Sequence, residues 1–284
     1  LSSATRAYGH AAHYARERLA GRAARPEDRT GGAADPIIVH PDVRRLLLRQ
    51  AAFLEGARAL GLWVRVLLDD QDARRALVGS FLTPVIKAFF SDRAFDSAND
   101  AMQLMGGHGY IRDNGVEQLV RDCRIFQLYE GANGVQALDL ALRKLPQGGG
   151  EALPGLLAMV DAVIAEADRH DELRSHGQAL RRACEAVRAV AQWLQSPERQ
   201  PCDIGAASYD FLHMVGIVAV GFMWLRMALL ALDRLPAAGN AAFFQRKLEL
   251  ARYWFERELP LVAAYGQRAQ VGAAGLMALP ADQF

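Results

Sequence analysis

Apolar residues return every three, four and seven positions along most of this chain, and over no useful length do they alternate every second residue. That periodicity commits the chain to helices, and the expected fold class is all-α. Behind Pro41-Asp42, the residues Val43, Leu46, Leu47, Leu54, Ala57, Gly61, Val64 and Leu68 form one such stripe, predicting a long helix with a core-facing side. A first helix, capped by Ser2 or Ser3, is expected to run through Tyr8, His13, Arg16 and Leu19 to a stop at Gly21. Residues 22–40, with Pro26, Gly31, Gly32 and Pro36, read as a loop. A third helix is predicted from Thr83-Pro84, because proline is tolerated in a first turn, to the glycines at 106 and 107. Residues 116–123 read as a short helix, 124–131 as an irregular connection, and Asn133 as the N-cap of a helix reaching Leu145.

Pro146 followed by Gly148, Gly149 and Gly150 reads as a helix stop with a flexible linker, which divides the chain into domains 1–146 and 151–284. Beyond it, helical segments are predicted over 154–171, 172–195, 202–235 and 240–269. The turns between them are short and polar or contain proline, as at Pro236, so antiparallel neighbours in a bundle are expected.

Charge and cysteine usage exclude several functions. The 33 basic side chains are matched by 32 acidic ones, and the arginine-rich helices carry no interleaved aromatics, so no nucleic-acid partner is expected. Cys123, Cys184 and Cys202 show neither a CxxC pair nor metal-like spacing; they read as core or boundary thiols of a protein in a reducing compartment. With no export signal at its start, a cytoplasmic location is expected. The longest charge-free apolar stretch, 211–225, is shorter than the roughly 18 to 20 residues of a spanning helix, so it reads as a buried helix rather than a membrane span. His10, His13 and Glu17 share a helix face but are expected to stay solvated, and no metal site is expected.

Two segments carry chemistry. Gly106-Gly107-His108-Gly109 is no dinucleotide fingerprint, since Arg112 stands where GxGxxG needs its third glycine and no strand precedes it. By itself it reads as a helix stop and turn, or as backbone that a ligand approaches closely. In Tyr129-Glu130-Gly131, a carboxylate lies between an apolar run and a helix start. By itself Glu130 reads as a solvent-facing acid near a helix N-terminus or as a candidate base.

Taken together, Gln103, Gly106, Gly107, Gly109-Tyr110, Asp113, Glu117, Arg121-Asp122 and Tyr129-Glu130-Gly131 resemble, in order and spacing, the C-terminal signature of acyl-CoA dehydrogenases. Tyr14-Ala15-Arg16-Glu17-Arg18 is similar to the family segment at the end of its first helix. Tyr209-Asp210-Phe211-Leu212, Trp224-Leu225-Arg226 and residues 251–255 resemble an extra helical domain of a longer bacterial subgroup, the 3-methylmercaptopropionyl-CoA dehydrogenase-like enzymes.

The resemblance implies a C-terminal four-helix bundle followed by a second helical bundle. It implies FAD-dependent oxidation of an acyl-CoA thioester to the 2-enoyl-CoA, with electrons passing to an electron-transfer flavoprotein or similar acceptor, in a homodimer or higher homo-oligomer. Glu130 matches the base that takes the α-proton while hydride leaves the β-carbon for flavin N5, and its backbone N–H would help polarise the thioester carbonyl. Burial beside Phe126, Leu128 and Tyr129 would suit such a base. Tyr129 and Gly131 match substrate-side positions. Arg18, Gln103, Gly106, Gly107 and Asn133 match positions near FAD, Arg18 as the partner of the pyrophosphate.

Arg121 and Asp122 read as an ion pair or cap. Three departures weaken the cofactor contacts: Ala132 where the family commonly has Thr, Gly134 where many relatives have Gln, and Gln118 where Lys or Arg is preferred. The family's full enzyme places a helical domain and a β-domain ahead of this portion, so the chain alone is expected to be inactive. The alternatives are an acyl-CoA oxidase and a helical oligomerisation module that binds little or no FAD.

Overall fold

Small residues set how closely the first helix packs. In the computed structural model, which describes residues 1–235 and 239–284, α1 (Ser2–Glu17) buries Ala4, Ala7, Ala11 and Ala15 along one face. That smooth face lies against α5 (Val116–Ile125). The helices between them are α2 (Pro41–Leu68), α3 (Ala73–Met105) and the single-turn α4 (Gly107–Tyr110). Next come α6 (Asn133–Leu138), α7 (Ala152–Ala167), α8 (Asp171–Leu194), α9 (Pro201–Arg234), α10 (Ala241–Tyr253) and α11 (Leu261–Ala269). The structure is 79% helical and, among the described residues, contains no strand; an isolated bridge joins Leu19 and Pro36. The all-α expectation holds.

The chain forms two compact units that interleave along the sequence: Leu1–Glu55 with Phe90–Tyr129, and Gly56–Phe89 with Glu130–Phe284. In the first unit, α1 ends at Glu17, short of the expected Gly21, and no serine side chain caps its start. Arg18 turns extended because the following residues pair with the 35–37 segment: the Ala20 N–H donates to the Asp35 carbonyl at 3.1 Å and the Ile37 N–H to the Arg18 carbonyl at 2.8 Å. The loop after it is built around Asp35, whose fully buried carboxylate accepts from the Thr30 N–H at 2.7 Å, the Thr30 hydroxyl at 2.9 Å and the Ala23 N–H at 2.8 Å. Those backbone bonds, Thr30's first, hold its pKa down at about 2.

Helix α3 begins ten residues before the expected Thr83-Pro84 (Ala73 against Thr83) because Asp72 caps it, accepting from the Arg74 N–H at 2.8 Å. Pro84 therefore sits inside the helix, where it cannot donate to the Ser80 carbonyl; its ring is buried, and packing offsets the lost bond. The α2 stripe is as expected at Leu46, Leu47, Leu54, Ala57 and Val64, but its last position is Leu67, fully buried, while Leu68 is exposed.

The core of the second unit is α9. Helices α6, α7, α8, α10 and α11 all pack on it, and its residues 211–225 are buried without exception. By length and composition alone, 147–167 and α9 are each apolar enough to cross a membrane, yet 78% of the α9 window is buried among neighbouring helices, as in a core helix. A Cβ on Gly216 would lie 2.5 Å from the Phe89 ring, so glycine is what lets that ring reach the α9 backbone. The Trp254 indole N–H donates to the Ile217 carbonyl at 3.3 Å, and Arg268 pairs with the buried Asp210 at 2.7 Å.

The expected flexible linker is an ordered turn: Gly148, Gly149 and Gly150 take φ of 63°, 73° and 80°, between the buried Leu145 and Ala152. Helices α7, α8 and α9 follow the predicted segments to within a few residues, but the segment predicted over 240–269 is two helices, α10 and α11, separated by a π turn at Trp254–Glu258 and by Pro260. The expected proline-containing turn after Leu235 falls on 236–238, outside the described residues.

Candidate functional site

A single non-glycine residue among those described has a left-handed backbone, and it is Glu130, with φ 54°. L residues with a Cβ resist this conformation by about 1–2 kcal/mol, so the turn must be held. Gly131 follows at φ 83°, and Ala132 is then the N-cap of α6, its carbonyl accepting from the Val135 N–H at 2.8 Å. Gln136 Nε2 donates to the Glu130 carbonyl at 2.9 Å. From α3, Lys87 Nζ donates to the Gly131 carbonyl at 2.7 Å and to Asn133 Oδ1 at 2.8 Å. Both carbonyls of the Glu130-Gly131 turn are thus engaged inside the second unit.

Two expectations change here. Asn133 does not cap α6: it is the first helical residue, buried, and its Nδ2 donates to the Ala88 carbonyl at 3.2 Å. A side chain directed at α3 cannot also fold back on its own helix. Nor is Glu130 buried; its side chain is exposed, and so are those of Phe126, Leu128 and Tyr129 in the first unit. Desolvation of the base is not supplied by this chain's own packing. Lys87 and Gln136 carried no signal in the sequence, since a lysine within a helix and a glutamine near a helix start are ordinary surface choices.

The first unit holds the remaining positions. Gly106, at φ 58° and ψ −141°, takes a backbone conformation that only glycine adopts readily, and Gly107 opens α4; a Cβ on either would meet nothing within 4 Å. Gly109 is demanded by packing instead, because its Cβ would strike the Met102 carbonyl at 2.6 Å. Gln103, Gly106, Gly107 and Arg18 are all exposed. The Tyr14 hydroxyl and His108 Nδ1 lie 3.2 Å apart, which ties the last turn of α1, next to Arg18, to the glycine turn. Instead of the expected pairing with Arg121, Asp122 accepts from Gln118 at 2.7 Å. His13 and Glu17 lie 3.3 Å apart on an exposed face.

Chemically, the first unit offers an open glycine backbone with amide and guanidinium donors, a fit for the phosphates and sugar of a nucleotide cofactor. The second offers an exposed carboxylate on a turn with fixed carbonyls, a fit for abstracting a proton.

Comparison with known proteins bears on both. Residues 1–145 match the family model described as acyl-CoA dehydrogenase, C-terminal domain, and 156–280 the one described as acetyl-CoA dehydrogenase C-terminal like. The 3-methylmercaptopropionyl-CoA dehydrogenase of Ruegeria pomeroyi is 36% identical over 270 residues, covering 91% of this chain and 45% of that protein. The broad-specificity linear acyl-CoA dehydrogenase FadE5 of Mycobacterium tuberculosis is 28% identical, over 93% of this chain and 46% of its own length. The chain thus spans about half the length of the curated relatives it matches. In fold it is similar to an acyl-CoA dehydrogenase complexed with FAD from Bacillus anthracis, with TM-score 0.71 and 16% identity over 95% of this chain and 46% of that one. It is also similar to Caenorhabditis elegans ACDH-11 in complex with C11-CoA, with TM-score 0.70 and 18% identity over 90% of this chain and 42% of that one.

Proposed function

Because the chain belongs to the acyl-CoA dehydrogenase family, we propose that it carries the C-terminal part of a flavin-dependent acyl-CoA dehydrogenase in which Glu130 removes the α-proton of an acyl-CoA thioester. The observation that carries this reading is the Glu130-Gly131 turn: a carboxylate kept on a left-handed backbone, exposed, with both turn carbonyls engaged. Strained backbone at a single polar residue is a feature of functional sites.

In the reaction the Glu130 carboxylate takes the α-proton as the C–H electron pair becomes the new α,β double bond. Bound FAD would accept the hydride that leaves the β-carbon. Arg18, Gln103, Gly106 and Gly107 are the proposed cofactor residues, supported by their exposure and the open space before both glycines. The Asn133 side chain, committed to Lys87 and Ala88, instead serves the turn. Tyr129 and Gly131 are proposed to face the thioester. The water exclusion that such a base needs would come from substrate and from parts of the enzyme beyond this chain, so the chain alone is proposed to be inactive.

An electron-transfer flavoprotein or similar protein is the proposed acceptor. A homo-oligomer is supported by Val135, Leu138 and Leu142, three exposed apolar side chains spaced along one helical face. We carry 1–146 and 151–284 as two evolutionary modules, consistent with the two family matches. A cytoplasmic location is supported by three free cysteines.

The test is Glu130→Gln in the complete flavoprotein. The yellow flavin spectrum should persist while acyl-CoA-dependent bleaching falls by about 100-fold or more, the scale of a lost general base. Undiminished bleaching rejects Glu130 as the base.

A further inference from the structure

We infer that Lys87 and Gln136 are positioning residues for the Glu130 base, clamping the carbonyls of the Glu130-Gly131 turn so that its left-handed backbone keeps the carboxylate aimed at the substrate. The inference rests on the reading of Glu130 as that base.

A turn with an unfavourable φ at Glu130 would relax by rotating its peptide planes unless something fixed them. The direction of a carbonyl fixes its plane. Gln136 Nε2 at 2.9 Å fixes the Glu130 carbonyl, and with it ψ of Glu130 and φ of Gly131. Lys87 Nζ at 2.7 Å fixes the Gly131 carbonyl, and with it the entry into α6. The ammonium is itself located, because it also bonds Asn133 Oδ1 at 2.8 Å, and the Asn133 amide donates to the Ala88 carbonyl one residue further along α3. A charge-assisted bond to a carbonyl is stronger than a neutral one. The two clamps come from different elements, α3 and α6, and close on adjacent peptide planes. The result is a rigid mount for one side chain, the carboxylate that needs it.

The test uses the complete holoenzyme and whichever of C4, C8 and C16 saturated acyl-CoA the wild type oxidises fastest. Lys87→Met keeps the stem and removes the donors; Lys87→Arg restores a charged donor; Gln136→Met removes the amide. A misaimed base should lower the limiting rate of flavin bleaching by about 10- to 100-fold in Lys87→Met, with the half-saturating thioester concentration nearly unchanged. Lys87→Arg should recover most of that rate. Hydrogen–deuterium exchange at 129–134 should rise in Lys87→Met and Gln136→Met while the α9 amides stay protected, an effect independent of turnover.

Wild-type limiting rates and exchange in Lys87→Met and Gln136→Met, alongside an inactive Glu130→Gln, overturn the clamp and leave the base standing. An active Glu130→Gln overturns the base, and the clamp with it. Should Lys87→Met fail to fold, Gln136→Met at its half-exposed position decides: a wild-type rate and exchange there overturn the clamp.

Discussion

Cys184 and Cys202 show how differently one residue type can behave in this chain. Cys184 is buried on α8, and desolvation first, then nearby Asp161, pushes its thiol up to about 12; Cys123, also buried, is raised by the same cause. Cys202 is exposed at the start of α9. Since only a thiolate attacks, a disulfide reagent at neutral pH should titrate Cys202 in the folded chain and all three thiols after denaturation. Prompt reaction of more than one native thiol contradicts this. At this scale the sequence was informative about kinds of residue and uninformative about partners. Glu130 and the glycine turn could be picked out by local pattern, because Gly106 and Gly131 are there for their own backbone angles. Lys87 could not, because its meaning depends on Gly131, 44 residues away, and no spacing rule reaches that far.

Helix α9 depends on glycine at the points where neighbours press closest. A Cβ at Gly216 would sit 2.5 Å from the Phe89 ring, which is fully buried and has nowhere to move. Gly216→Ala should therefore destabilise the fold by about 1–3 kcal/mol, the usual cost of overpacking, despite alanine's better helix propensity. Urea unfolding is the measurement; an unchanged or raised midpoint would show that the ring yields freely. Periodicity alone made α2 and α7 to α9 legible in the sequence, but it ran α10 and α11 together across the Trp254–Glu258 π turn and Pro260. It was overridden at α3 by a competing local rule: proline at a first turn pointed to Thr83-Pro84, whereas the apolar repeat already runs through Leu77, Val78, Phe81 and Leu82 behind the Asp72 cap, which starts the helix earlier. The Gly148–Gly150 run misled for a related reason. Three glycines are compatible with a flexible spacer or with a left-handed turn, and only packing, here Leu77 within 2.9 Å of where a Gly148 Cβ would lie, separates the two.

Across the whole molecule, several carboxylates are more acidic folded than free. Asp35 is held at about 2 by the Thr30 and Ala23 amides, and backbone hydrogen bonds likewise lower Asp70 and Asp203. A pKa below the ordinary value near 3.9 means that the ionised form favours the fold. The stabilisation is complete above about pH 4 and is lost as pH falls through the folded values toward 2. Urea midpoints should accordingly drop between pH 4 and 2, and Asp35→Asn should flatten part of that dependence; an equally steep loss in the variant would remove Asp35 from the account. Asp210, raised by burial, shifts the other way. The left-handed backbone at Glu130 has a wider consequence. Glycine takes that conformation without strain, so selection for stability alone would have replaced the glutamate. Under the proposed role of Glu130 as the base, a carboxylate held where the backbone favours glycine exchanges stability for turnover, and sequences optimised only for robustness would drift toward glycine at this position.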